Sequence, residues 1–179
     1  MSRSPRSALT GTTRARVGSA VASTVSGRDR TPSDTIDAMV ADALTPPPGV
    51  RVIDAPGVRV WLDDGIVYES FSVAHVQLGH VEAMERAIRE LAGPAGRVLL
   101  LADLAGLRSI SSEARAYAAS EALVELVDGQ AFLIRSPVAR VVASFFVRVF
   151  HPPFPVRLFN EADAASQWLH GLRRSAATA

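Results

Sequence analysis

The sequence predicts an α/β domain built on a mixed, mostly parallel sheet of four to five strands with packed helices, preceded by a disordered arm. Three observations lead there. A turn signal, Asp63-Asp64-Gly65, separates two strand-like runs. A wholly apolar stretch, Val98 to Ala102, has the pattern of a central strand covered on both faces. Beyond it, helical and strand-like stretches alternate to the end of the chain, which implies β-α-β crossovers and parallel pairing.

In chain order, residues 1–48 read as an Arg/Ser-rich arm that ends in the stiff linker Pro46-Pro47-Pro48. Ser, Thr, Gly, Arg and Ala dominate it, and such a segment cannot offset its own ordering entropy. Ile36, Met39, Val40 and Leu44 alone fall at helical spacing, which allows a short helix there. The folded domain is expected over residues 49–173, with a flexible tail at 174–179. Val58 to Leu62 and Ile66 to Phe71 form the hairpin, because Gly65 supplies positive φ at the turn. Val60 and Leu62 alternate with Arg59 and Trp61, so one face of the first strand is expected to be buried.

Leu78 to Leu91 carries Val81, Met84, Ile88 and Leu91 on one helical stripe, and Gly93-Pro94 stops it. After the central strand the spacing predicts a helix from Ser112 to Val127, then a strand from Gly129 to Ile134. Ser136-Pro137 opens the next helix, with Ser as N-cap and Pro at the first helical position. It runs to Phe150 and stops at His151-Pro152-Pro153. Val156 to Phe159 is the last strand. Asn160 is expected to cap a final helix that faces Ala165, Trp168, Leu169 and Leu172 inward.

Composition excludes several classes of activity. The 179 residues hold one domain and carry a net charge of +1, against the basic excess of a dedicated nucleic-acid binder. All 19 basic residues are Arg, which with abundant Ala, Val and Gly reads as the codon bias of a GC-rich genome. With no cysteine there is no disulfide, no thiolate nucleophile and no Cys-ligated zinc, in keeping with a reducing cytoplasm. No apolar run approaches the ~18 residues of a membrane span. The first thirty residues contain six Arg and a single acid, Asp29, superficially like an organellar transit peptide. They read as a flexible arm or as an upstream start codon.

No catalytic constellation emerges, so no enzymatic activity is expected. His75, His80, His151 and His170 show no metal spacing and stand in no triad relation to a Ser and an acid. No Gly-rich run matches a phosphate loop, and no cofactor is implied.

The stretch Asp103-Leu104-Ala105-Gly106-Leu107-Arg108-Ser109-Ile110-Ser111-Ser112 resembles the strand-loop-helix signature of STAS domains, the fold of anti-sigma-factor antagonists and of the cytoplasmic domains of sulfate transporters. Their pattern runs D-L-S-G-V-x-x-I-D-S-S-G-L. Ser136-Pro137-Val138-Ala139-Arg140, the Phe-rich helix and Phe159…Trp168-Leu169 are similar to a group of uncharacterised bacterial STAS-like proteins. That resemblance spans about residues 50–172. It implies a STAS-like fold and a non-enzymatic regulatory or protein-interaction module, in which a serine at the turn is phosphorylated by a partner kinase. Ser111 stands at the aspartate position, Ser112 matches the first serine, and Glu113-Ala114 replaces Ser-Gly. A phosphate there would meet free N–H groups at a helix start, with Glu113 opposing it. The alternative is that Ser111 or Ser112 caps the helix and does nothing more. Asp103 and Gly106 complete the candidate turn; Asp103 either meets a ligand at the carboxyl end of a central strand or accepts backbone N–H bonds in the turn.

The helix from Val138 to Phe150 is apolar over more than one face, with Arg140, Ser144 and Arg148 as its main polar positions. It therefore predicts either ordinary core burial or a patch that meets a protein partner, a second copy or a small hydrophobic ligand. Arg140 and Arg148, two turns apart on one face, either contact an anion or partner or pair with Glu121 or Glu125.

Overall fold

The computed structural model describes residues 44–176. The expected arm before Leu44, including the short helix ending there, lies outside the described residues, as do the last three positions of the tail.

The elements are β1 (Val52–Ala55), β2 (Val58–Asp63), β3 (Ile66–Phe71), β4 (His75–Val76), α1 (Leu78–Ala92), a 3₁₀ turn (Gly93–Ala95), β5 (Val98–Asp103), β6 (Ser109–Ile110), α2 (Ser112–Ala118), α3 (Glu121–Val124), β7 (Val127–Leu133), α4 (Pro137–Phe150), β8 (Val156–Phe159) and α5 (Ala162–Ala176). A six-stranded sheet runs in the order β1-β2-β3-β5-β7-β8. β1, β2 and β3 are antiparallel neighbours, and the β3–β5, β5–β7 and β7–β8 pairs are parallel. The mostly parallel sheet with an antiparallel edge is the architecture the element order implied. All five expected strands form, and β1 adds a sixth at the edge.

The hairpin closes as its residues dictate. Asp64 and Gly65 both take positive φ, at 42° and 72°, the combination a two-residue turn between twisted strands requires. Arg173 Nη1 on α5 donates to the Asp64 carbonyl at 2.7 Å and holds the turn against the domain. Trp61 lies opposite Tyr68 and stacks on it, centroids 5.4 Å apart. This corrects the expected alternation in β2. Trp61 is buried against Tyr68, whose ring packs on the α5-side core, while Leu62 stands at the exposed end of the strand.

Period-two alternation divides the sheet into two cores. Ile66, Leu99, Leu101, Ala131 and Leu133 point to the face covered by α5, where Ala165 and Leu169 are fully enclosed and Trp168 and Leu172 pack at the margin. Gly129 lets α5 approach closely: a Cβ there would come 2.7 Å from Leu172 Cδ1. Val58, Val60, Val67, Val98, Leu100 and Phe132 point to the opposite face, covered by α1 and α4. Each fully buried aliphatic side chain contributes about 1.5–3 kcal/mol relative to exposure.

Two helix expectations change. The helix expected from Ser112 to Val127 breaks at Ala119-Ser120, where Ser120 is extended (φ −70°, ψ 154°) and starts α3. Ser followed by Glu is itself a helix-start signal, and Val127 belongs to β7. α5 begins at Ala162, two residues past the expected cap, and Asn160 Oδ1 instead accepts from Arg140 Nη2 at 3.1 Å. α4 starts as expected, with Ser136 Oγ accepting from Ala139 N at 3.1 Å and Pro137 at its first turn.

Candidate functional site

The turn from Asp103 to Ser112 is clamped by backbone bonds. β4 and β6 form a short parallel ladder, and His75 Nδ1 lies 2.7 Å from Ser109 Oγ. Arg108 N and Ser109 N both donate to the Ala74 carbonyl, and Ser111 N donates to Val76 O. Asp103 is buried with both carboxylate oxygens engaged: Oδ1 accepts from Ala105 N and Oδ2 from Leu44 N, each at 2.9 Å. Its oxygens therefore fix the turn that contains Gly106 and dock the chain at Leu44. Ser111 is the N-cap of α2, its Oγ accepting from Ala114 N at 3.1 Å. Ser112, the first residue of α2, is exposed. With only seven residues in α2, the dipole at this helix start is weaker than the longer expected helix would give.

Arg140 and Arg148 are both exposed and stand roughly 12 Å apart along α4 by helical rise. Arg140 is engaged by Asn160. Neither is paired with Glu121 or Glu125, and the structure does not gather the two into one anion site.

α4 itself divides sharply. Ala139 and Ala143 are buried, and Val142 and Phe146 pack against the core. Val138, Val141, Phe145 and Val149 follow each other at helical spacing on the outer side and are exposed, Val141 by 68%. Arg115 of α2 reaches across, its guanidinium 5.2 Å from the Phe145 ring centre, and its buried Nε has no hydrogen-bond partner. β6 lies against α4 as well. The serine turn and the outer face of α4 therefore adjoin.

The sequence reading missed the most unusual group in the domain. Glu69, in the middle of β3, is only 3% exposed, and its Oε2 has no hydrogen-bond partner. It lies between Val60 of β2 and Ala102 of β5, on the α1/α4 face of the sheet. Burial pushes the Glu69 carboxyl up to about 8, so at neutral pH it is mostly protonated. It lines a cavity of about 80 Å³ together with Gln130, Phe71, Phe132, Phe146 and Phe154. Gln130 is the second polar residue on this lining, and the rest is hydrocarbon.

A second buried carboxylate shows the contrast. Burial acts to raise Glu85 on α1, but hydrogen bonds from Tyr117 and Arg89 outweigh it and hold its carboxyl below the usual value. Glu69 has no such partners. Period-two parity could have found it, since Glu69 shares a strand face with Val67 and Phe71.

Among the described residues, no group of three or more His, Cys, Asp or Glu could hold a metal ion. No helix among them is long and apolar enough to cross a membrane.

No curated protein matches the chain. Among solved structures it is similar to an uncharacterised protein from the DUF3478 family with a SpoIIAA-like fold, from Shewanella loihica. The two are 11% identical, the match covers 70% of this chain and 99% of that one, and the TM-score is 0.49. The family described as domain of unknown function DUF7793 matches residues 60–173, nearly all of the folded part, and the chain belongs to that family.

Proposed function

We propose that this domain works by binding, as a non-enzymatic cytoplasmic interaction module whose docking surface is the outer face of α4. The observation that carries this reading is the exposed stripe Val138, Val141, Phe145 and Val149. Four such side chains on one helix face form an apolar patch of the kind that marks partner sites. The stripe is flanked by Arg140 and Arg148, and no acid lies between Arg135 and Phe150. In a two-fold pairing of α4 about its centre, Arg140 of one copy would meet Arg148 of the other, which disfavours a homodimer through this face. The matching partner is an amphipathic protein segment with apolar anchors and acidic flanks.

Ser112 is the position from which this surface is controlled. It stands one turn before Arg115, so a phosphate on its exposed hydroxyl would compete with Phe145 for the guanidinium. Asp103, Gly106 and Ser111 hold the turn that presents it.

The test uses the immobilised full chain against host lysate, beside a Val141→Glu/Phe145→Glu double variant and a Ser112→Asp variant. A protein held by wild type, lost from the double variant and weakened by Ser112→Asp supports the reading. The same protein held equally by wild type and double variant overturns it.

A second reading, a small-molecule or lipid carrier, is favoured by the cavity that holds Glu69. Native mass spectrometry of freshly purified protein should then show added mass on the folded chain, and a clean apo mass counts against it.

A further inference from the structure

An ionisable carboxyl in hydrocarbon costs stability unless something compensates for it, and an apolar residue of similar size would fill the same space without that cost. The Glu69 position therefore asks what the carboxyl faces. Its closed-off Oε2 has no partner among the described residues, and the cavity beside it holds roughly five or six water-sized groups. The lining carries no Arg or His, so an anion entering it would find no counter-charge. A cation would find one, with aromatic rings beside it.

We propose that this cavity binds a small apolar ammonium ion, its charged nitrogen against Glu69 and its hydrocarbon among Phe71, Phe132, Phe146 and Phe154. The proposal deepens the carrier reading and rests on it. Aromatic rings around a desolvated cation add cation–π attraction to the ion pair. Gln130 offers a carbonyl oxygen to a second N–H of the ligand.

Binding carries a proton with it. The protonated Glu69 carboxyl gives its proton to solvent, and the carboxylate left behind pairs with the alkylammonium, which keeps all of its own protons. No neighbouring charge does this work beforehand. Glu85 on α1 is committed to Arg89 and Tyr117, Arg115 on α2 sits over Phe145, and Arg140 and Arg148 on α4 face solvent. β2 and β5 place Val60 and Ala102 beside Glu69.

The experiment titrates the full chain with n-butylammonium, 1-butanol and butanoate, which are nearly alike in length and differ in charge. Calorimetry in buffers of different ionisation enthalpy counts protons, and amide NMR locates the site. The expected result is n-butylammonium bound at least tenfold more tightly than 1-butanol, with close to one proton released per ligand at pH 7 and shifts on β3 and α4. Glu69→Gln should abolish the tenfold preference and the proton release. If 1-butanol or butanoate binds as tightly as the ammonium, the ammonium assignment is overturned while a ligand cavity stands. If none of the three binds folded wild-type protein, the assignment and the carrier reading fall together. Should Glu69→Gln not fold, the preference and proton count of wild type alone decide the matter.

Discussion

The two faces of the one sheet are built on opposite plans. Beneath α5 the strands offer Ile66, Leu99, Leu101, Ala131 and Leu133, and α5 meets them with Ala165 and Leu169 so closely that Gly129 has no room for a side chain. Beneath α1 and α4 the same strands offer Glu69 and Gln130 among aliphatic and aromatic neighbours, and a cavity remains. The covering helices differ in the same sense. α5 turns its apolar residues inward, whereas α4 gives Ala139, Ala143, Val142 and Phe146 to the core and leaves Val138, Val141, Phe145 and Val149 outside. Both faces carry a buried core, and the one beneath α1 and α4 also holds an unpartnered carboxyl beside a cavity.

That contrast can be broken or sharpened by substitution. The largest effect is expected on the closed face. Leu169→Ala removes a fully enclosed side chain and should cost about 3–5 kcal/mol in chemical denaturation, whereas Phe146→Ala, at the cavity margin, should cost well under half of that. Equal losses would mean that the two faces are packed alike.

Glu69→Gln should act in the opposite direction. Because its native carboxyl is raised from 4.5 to about 8, the folded protein holds a proton that the unfolded chain has already lost between those values. Wild-type stability therefore falls as pH rises through that window, while the variant lacks this component. The difference in unfolding free energy should grow from near zero at pH 4 to a gain on the order of 3 kcal/mol for the variant at pH 7. Parallel denaturation curves at pH 4, 5.5 and 7 check it, and a constant difference would show that Glu69 titrates normally.

Gly129→Ala should cost about 1–3 kcal/mol, since the added methyl meets Leu172 and Leu99 on the tightly packed side. The smallest effect belongs to the outer face of α4. Val141→Ser should change thermal stability by less than about 0.5 kcal/mol, because the side chain is already in solvent. A larger loss would show that the stripe is covered in solution.

Most of the frame was legible in the sequence because it is written in local signals. Asp64-Gly65 closes the hairpin, Gly93-Pro94 stops α1, Ser136-Pro137 opens α4, and the apolar run at Val98 marks the central strand. β1 escaped notice because none of its four residues at the sheet edge is fully buried and they leave no clean alternation. The break at Ser120 escaped because the apolar residues on either side keep helical spacing across it. Glu69 escaped for a different reason. A lone glutamate in a strand is readily taken for a solvated position, although its parity with Val67 and Phe71 places it on the core face. The serine turn was visible as a motif, but its adjacency to α4 through Arg115 and Phe145 joins residues thirty positions apart and has no local signature.

The edges of the sheet set how far the exposed stripe on α4 can lead. Among the described residues both outer strands, β1 and β8, are only four residues long and pair on one side alone. Pro56 closes β1, Pro152, Pro153 and Pro155 precede β8, and Arg157 stands exposed on it. Short, proline-bounded, charged edges are poor templates for another strand. The domain can therefore keep a greasy helix in water without offering a neighbour any backbone to extend, and crowding of its copies should yield reversible clusters in place of fibrils.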